Sequence, residues 1–295
     1  MNIGMKAEIL GYVAAIGFVG TTILSMFFVQ DLIVTFPNKY MVLFLACLVS
    51  SVFFTLINIK CMPAIFKCAI SSWHSYLFLA VLIGSNWICS IFGIPRSNAF
   101  LYSLGYFMFS ASLAYLNDYL TTKDLKFGLL CMMSWIILLV ALAMNLKFIL
   151  GFLIALLGGA TGYLYRRTTY VFSEQENFSS SQILSIRFYP LLILLSTQFH
   201  LPDLVMLSTY QWSVILLFAV LAFIIPNYLN QVAIIKLGAN HSTVIAAFIF
   251  PVSCLLEQIL HRHISIDANL IVALIATLTM LIPFVFRFKR YSSIE

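Results

Sequence analysis

The chain has 295 residues, of which 62% are hydrophobic and 9% charged, with a formal net charge of +6 and a mean hydropathy of +1.04. A soluble domain has roughly a quarter of its residues charged, so this composition excludes a soluble enzyme and a soluble nucleic-acid binder; the surplus of basic residues reads as a membrane-orientation signal. The length holds about ten helices of about 20 apolar residues with short connections, which places whatever the chain does inside the membrane.

Taken in order, apolar segments run at about Ile9 to Val29, Tyr40 to Ile59, Ser75 to Phe92, Ala99 to Leu120 and Phe127 to Asn145. A second set runs at about Phe148 to Tyr165, Gln182 to Phe199, Tyr210 to Ile235, Thr243 to Leu260 and Ala268 to Phe286. The fold class expected is therefore all-α integral membrane, with ten transmembrane helices. The first run is too long for a signal-peptide core and reads as a retained span. Lys and Arg number eleven in the turns on the side of the N-terminus, with Arg166 and Arg167 among them, and four on the other side. The positive-inside rule then places both termini in the cytoplasm. The six cysteines read as reduced structural thiols without a disulfide framework, and no set of His, Cys, Asp and Glu has metal-ligand spacing.

The two sets of five match one another. ILGYVAA at Ile9 and ILGFLIA at Ile149 lie 140 residues apart, Thr21 falls opposite Thr161, and at nearly the same offset Asn86 falls opposite Asn227 and Asn117 opposite Glu257. An odd number of spans per copy turns the second copy upside down. That is the plan of secondary carriers, which bind solute near mid-membrane between inverted halves. The densest polar cluster in any apolar run supports it: just after Pro226, the amides Asn227, Asn230 and Gln231 stand at i, i+3 and i+4, on one helix face. Buried amides need partners, which a solute or a neighbouring helix can supply.

These features resemble the drug/metabolite transporter superfamily of the EamA type. The resemblance rests on the ILG opening of spans one and six, the Arg166 and Arg167 pair at the end of span six, and VAIIKLGANHSTVIAAFIFPVSCLLEQIL with Pro251 and Glu257. The first copy has Ala111 and Asn117 where the second has Pro251 and Glu257. It implies a first repeat over 1–146 and a second over 147–295, a cavity lined by spans one, three, four, six, eight and nine, and alternating access.

Candidate substrate-binding residues are Asn86, Trp87, Tyr102, Tyr106, Asn227, Asn230 and Gln231, with Arg187, about seven residues into span seven, either facing the cavity to hold an anionic group or snorkelling back to headgroups. Pro190 is expected to kink that span. Glu257 is the candidate for proton or cation coupling, against a snorkelling carboxylate. Gly158, Gly159 and Gly162 read as a packing face, and Tyr163 and Tyr165 as interfacial anchors.

The expectation is a secondary-active or facilitative carrier of a small metabolite, with no cofactor, no metal, no nucleic acid and no enzymatic acid cluster; its partners are the small-molecule substrate and the lipid bilayer, and a homodimer is compatible. The alternatives are a transporter or flippase of an amphiphilic or lipid-linked substrate, or a non-transporting scaffold. The bacterial cytoplasmic membrane is the location expected.

Overall fold

A computed structural model of the chain describes residues 3–36, 38–97, 99–260 and 268–291, with side chains described throughout except at 3–5, 27–35, 99, 201, 203, 257–260, 268–270 and 283–291. Among the described residues there are helices and turns and no strand.

The helices in order are α1 (Ile3–Thr35), α2 (Lys39–Ile57), α3 (Met62–Ser71), α4 (Trp73–Gly93), α5 (Ala99–Ser103), α6 (Phe109–Thr122), α7 (Leu125–Met144) and α8 (Ile149–Glu176). They are followed by α9 (Ser180–Ile186), α10 (Tyr189–Ser196), α11 (Leu201–Val205), α12 (Thr209–Phe218), α13 (Ile225–Leu237), α14 (Ala239–Ala246), α15 (Ile249–Leu260) and α16 (Ala268–Tyr291). Two π-helical stretches, Leu104–Met108 and Ala219–Ile224, join α5 to α6 and α12 to α13 without interrupting the rod.

Polar residues at the ends set the boundaries. Asn38 accepts from the Tyr40 and Met41 amides to start α2, Asp124 accepts from Lys126 N to start α7, and Ser208 with Gln211 forms a capping box on α12. Gly238 ends α13 at φ +82, a conformation that would strain any residue with a Cβ.

Among the described residues seven stretches are long and apolar enough to cross a bilayer: Lys6–Met26, Lys39–Ile57, Trp73–Arg96, Leu125–Met144, Leu146–Glu176, Thr209–Leu237 and Ala239–Leu256. Their outer faces carry large apolar side chains open to the surroundings, such as Leu129, Met132, Ile136 and Leu139 on α7. In water so continuous an apolar surface would aggregate; in a bilayer it is the solvent-matched surface. The chain is thus an all-α multi-pass membrane protein.

Three proline sites lie where rods break or change their winding. Pro190 removes an N–H and its ring crowds the carbonyl four residues back, and the apolar run expected as the seventh span is interrupted at Arg187–Phe188, splitting it into α9 and α10. The freed Ile186 carbonyl takes the Tyr76 hydroxyl instead, at 2.9 Å. Pro251 follows the break between α14 and α15, and Pro226 follows the π-helical stretch at Ala219–Ile224.

The bundle has two ends. One gathers the start of α1, the turns after α2, α6, α8 and α13, and α3; Gly11 lies against Leu237 there, and Ser72 and Cys68 reach Glu176. We refer to it as the N-terminal end. The opposite end gathers the turns after α1, α4, α7 and α10, with Gly151 against the Arg96 backbone.

Two helix pairs pack most extensively, α1 along α13 and α4 along α8, while α2 lies against both α9 and α10, α14 against α6, and α16 against α7. Expectation and structure differ in the connections. The turn after the second apolar run contains α3, and α8, which the sequence allows to stay helical past Tyr165 as far as Phe172, runs on to Glu176. Arg166, counted among the loop cations, is 2% exposed in the middle of that helix.

Candidate functional site

A cavity of about 110 Å³ lies between five of the rods. From α1 it takes Phe18, Thr22, Ser25 and Met26; from α4 Ile83, Asn86, Trp87, Ser90 and Ile91; and from the segment around the first π-helical stretch Tyr102, Tyr106 and Phe107. From α8 come Gly162, Tyr165 and Arg166, and from the α12 to α13 rod Phe218, Ala222, Pro226, Asn227 and Asn230. Spans one, three, four, six and eight of the expected six thus contribute, and the described lining includes nothing from α14 or α15. From Ile83 to Ile94 the α4 side of the cavity rises through eleven residue steps, about 16 Å of helix. No lining residue sits nearer the N-terminal end than Arg166 on α8 or Asn230 on α13.

Small residues create the space and set the wall. A Cβ at Gly159 would overlap the Tyr106 carbonyl oxygen, and one at Gly162 would overlap the Tyr106 hydroxyl. The glycine face of α8 therefore lets the span carrying Tyr102 and Tyr106 approach closely, as a packing face does. Asn86 is held in the same junction, donating to Tyr106 Oη at 2.6 Å and to the Gly158 carbonyl at 3.1 Å. Tyr102 donates to Ser90 Oγ at 3.1 Å. Trp87 stacks on Phe223, centroids 3.9 Å apart, with its Nε1 buried and without a partner.

The amide face behind Pro226 divides its labour. Asn227 turns its NH2 back onto its own helix, donating to the Phe223 carbonyl at 2.6 Å, which satisfies a carbonyl in the π-helical stretch upstream of the proline. Asn230 accepts from Arg166 Nε at 3.4 Å. Gln231 stands behind the wall, fully buried, accepting from the Tyr165 hydroxyl at 3.1 Å.

Arg187 takes neither of the positions expected of it. It is 0% exposed, so it does not snorkel, and it does not line the cavity. Its Nη1 donates to Tyr165 Oη at 2.6 Å, its guanidinium sits over the Phe188 ring at 4.4 Å, and its Nε and Nη2 have no partner. The Tyr165 hydroxyl links it to Gln231, so Tyr165 is a buried junction rather than an interfacial anchor. Tyr163 is likewise buried and donates to Asn240 at 3.2 Å. The Glu257 side chain lies outside the described residues, as do His261 and His263.

Sequence reasoning missed Thr22, Ser25, Ser90 and Arg166 as wall residues. Small hydroxyls carry no signal of their own in an apolar run, where each can bond its own helix, as Ser90 does to the Asn86 carbonyl. The Arg166 and Arg167 pair was visible, but adjacent residues point about 100° apart on a helix, and only packing chose which turned inward. Among the described residues no cluster of His, Cys, Asp and Glu can hold a metal. No protein-family model and no curated protein matches the chain.

Proposed function

We propose that the chain is a carrier of a small metabolite, secondary-active or facilitative, built from two inverted five-span repeats over 1–146 and 147–295 and working by alternating access, as its resemblance to EamA-type transporters implies. The observation that carries this reading is the central cavity together with the way its walls pair. In two inverted copies, spans one and six exchange places, and so do spans three and eight. The packing of α1 along α13 (spans one and eight) then has its counterpart in α8 along α4 (spans six and three). Asn86 and Asn227, opposite one another in the two copies, both line the cavity that these pairs enclose.

The cavity lining runs away from the N-terminal end from a polar floor at Arg166 and Asn230, and on this reading the described state opens toward the opposite end. Alternating access requires a second state of comparable free energy in which the floor opens, and a substrate shifts the balance only by binding the two states differently. Ten spans and the charge bias put both termini in the cytoplasm, which makes the described state outward-open.

A thiol placed in the wall tests this. Ser90→Cys, in a background with Cys61→Ser and Cys68→Ser, is expected to react with a membrane-impermeant maleimide from the outer face of oriented proteoliposomes, and more slowly from the inner face as the second state is visited. Reaction from one face alone at every time would rule out alternating access.

A further inference from the structure

Arg166 and Arg187 are both buried, and neither meets a carboxylate: among the described residues their hydrogen-bond partners are Asn230 and Tyr165. A guanidinium out of water is costly unless its donors are met. Arg187 is held behind the wall by Tyr165. Arg166 is on the wall, 2% exposed, and its Nη1 has no partner.

Several groups of the wall that Arg166 belongs to have donors left to offer. The Asn230 carbonyl oxygen is taken by Arg166 Nε, which leaves the amide NH2 to offer. The Tyr106 hydroxyl accepts from Asn86, which leaves its own O–H to donate, and Trp87 Nε1 is a donor by chemistry and unpartnered. The wall therefore presents an unmatched positive charge with donors on the same surface, while Asn86 and Asn227, whose NH2 groups are spent on Tyr106, Gly158 and Phe223, leave their side-chain oxygens as acceptors. A cation would be repelled there, and a neutral amide would leave the guanidinium unmatched. An oxyanion satisfies charge and donors together through charge-assisted hydrogen bonds. Farther from Arg166 the wall is aromatic: Trp87, fixed against Phe223 at 16° between planes, faces a space also bounded by Tyr102 and Phe107.

We propose that the cavity binds a solute with a carboxylate or similar oxyanion head on a flat apolar body, the head on Arg166 and the body against Trp87 and Tyr102. This rests on the carrier reading and names its substrate class.

The test is thermal unfolding of the purified full chain in neutral detergent with phenylacetate, its amide phenylacetamide and its cationic analogue phenethylamine, with lysophosphatidic acid as the lipid source of the same head chemistry. Phenylacetate is expected to raise the melting temperature with concentration, while the amide and the amine do not. Arg166→Gln is expected to weaken phenylacetate binding about ten- to a hundredfold, the span of a hydrogen bond to a charged group, and Arg166→Lys to retain part of it. If Arg166→Gln does not fold, Asn230→Asp serves: a carboxylate fixed beside Arg166 is expected to raise the melting temperature of the unliganded protein and abolish the response to phenylacetate.

Stabilisation by lysophosphatidic acid alone, lost in Arg166→Gln, would support the oxyanion site and assign its source to lipid. Equal stabilisation by the amide or the amine overturns the anion inference and leaves the carrier reading standing. Absence of any response also overturns it, and the carrier reading is then decided by whether the Ser90→Cys thiol still reacts from both faces.

Discussion

The two ends of the bundle join the halves of the chain by different chemistry. At the N-terminal end the halves are laced by hydrogen bonds: Thr55 with the Tyr189 hydroxyl at 2.7 Å, Ser181 Oγ onto Asn58 at 3.1 Å, Tyr76 onto the Ile186 carbonyl, and Ser72 and Cys68 onto Glu176 at 2.7 and 3.0 Å. At the opposite end the halves meet through rings, Phe44 with Phe199 at 5.0 Å and Phe100 with Phe250 at 5.2 Å, and through the close approach of Gly151 to the Arg96 backbone. Hydrogen bonds are directional and hold one geometry, whereas tilted rings slide with little change in energy. The difference fits a molecule latched at the end where its cavity stops and yielding at the end toward which the cavity extends.

Between the ends sits the Tyr165 junction, and breaking it has the largest expected effect. Tyr165→Phe leaves Arg187 buried with no hydrogen bond among the described residues, a loss of about 1.5–3 kcal/mol, the magnitude of a hydrogen bond to a charged group. The double change Tyr165→Phe with Arg187→Met removes the stranded charge as well and should recover most of that loss in thermal unfolding. If the double variant is as unstable as the single one, the charge is not the cause.

Opening the latch comes next. Tyr189→Phe removes one cross-half hydrogen bond, worth about 1 kcal/mol, or roughly a fivefold shift between two states if the bond exists in only one. The rate at which the Ser90→Cys thiol is labelled from the inner face should rise by that factor. Phe44→Leu at the yielding end is the converse, an aromatic pair worth about 0.5–1.5 kcal/mol. It should leave labelling from the inner face no faster, and a faster rate would deny the distinction between the ends.

The smallest effect concerns thiol chemistry at the latch. Cys61 is exposed in the turn after α2, while Cys68, in the short helix α3, donates to Glu176. Burial first, then the hydrogen bond to the carboxylate and its charge, push the Cys68 thiol up to about 11 from an ordinary 9.0. At pH 8 that leaves roughly a hundredth of the usual thiolate. In detergent, maleimide should modify Cys61 well before Cys68, and Glu176→Gln should bring Cys68 closer to Cys61. Equal rates in the unaltered protein would mean that the bond to Glu176 does not form.

Sequence alone determined the class and the periodic part of the site. Composition forces a bilayer, the lengths of the apolar runs place the rods, and helical spacing puts Asn227 and Asn230 on one face, where both line the cavity. Gln231 shares the spacing but not the wall, because a face about 100° wide has an edge, and neighbours decide what lies beyond it. Tertiary structure alone decided that Arg166 turns inward and Arg167 outward, that Arg187 finds Tyr165 instead of headgroups or cavity, and that the Asn227 NH2 is spent on its own helix. In each case a local sequence fixes depth along the membrane normal, since rise per residue is constant. Rotation about the helix axis, and therefore the partner a buried polar group meets, is set by packing against segments more than 20 residues away or by a break in the helix that a proline imposes.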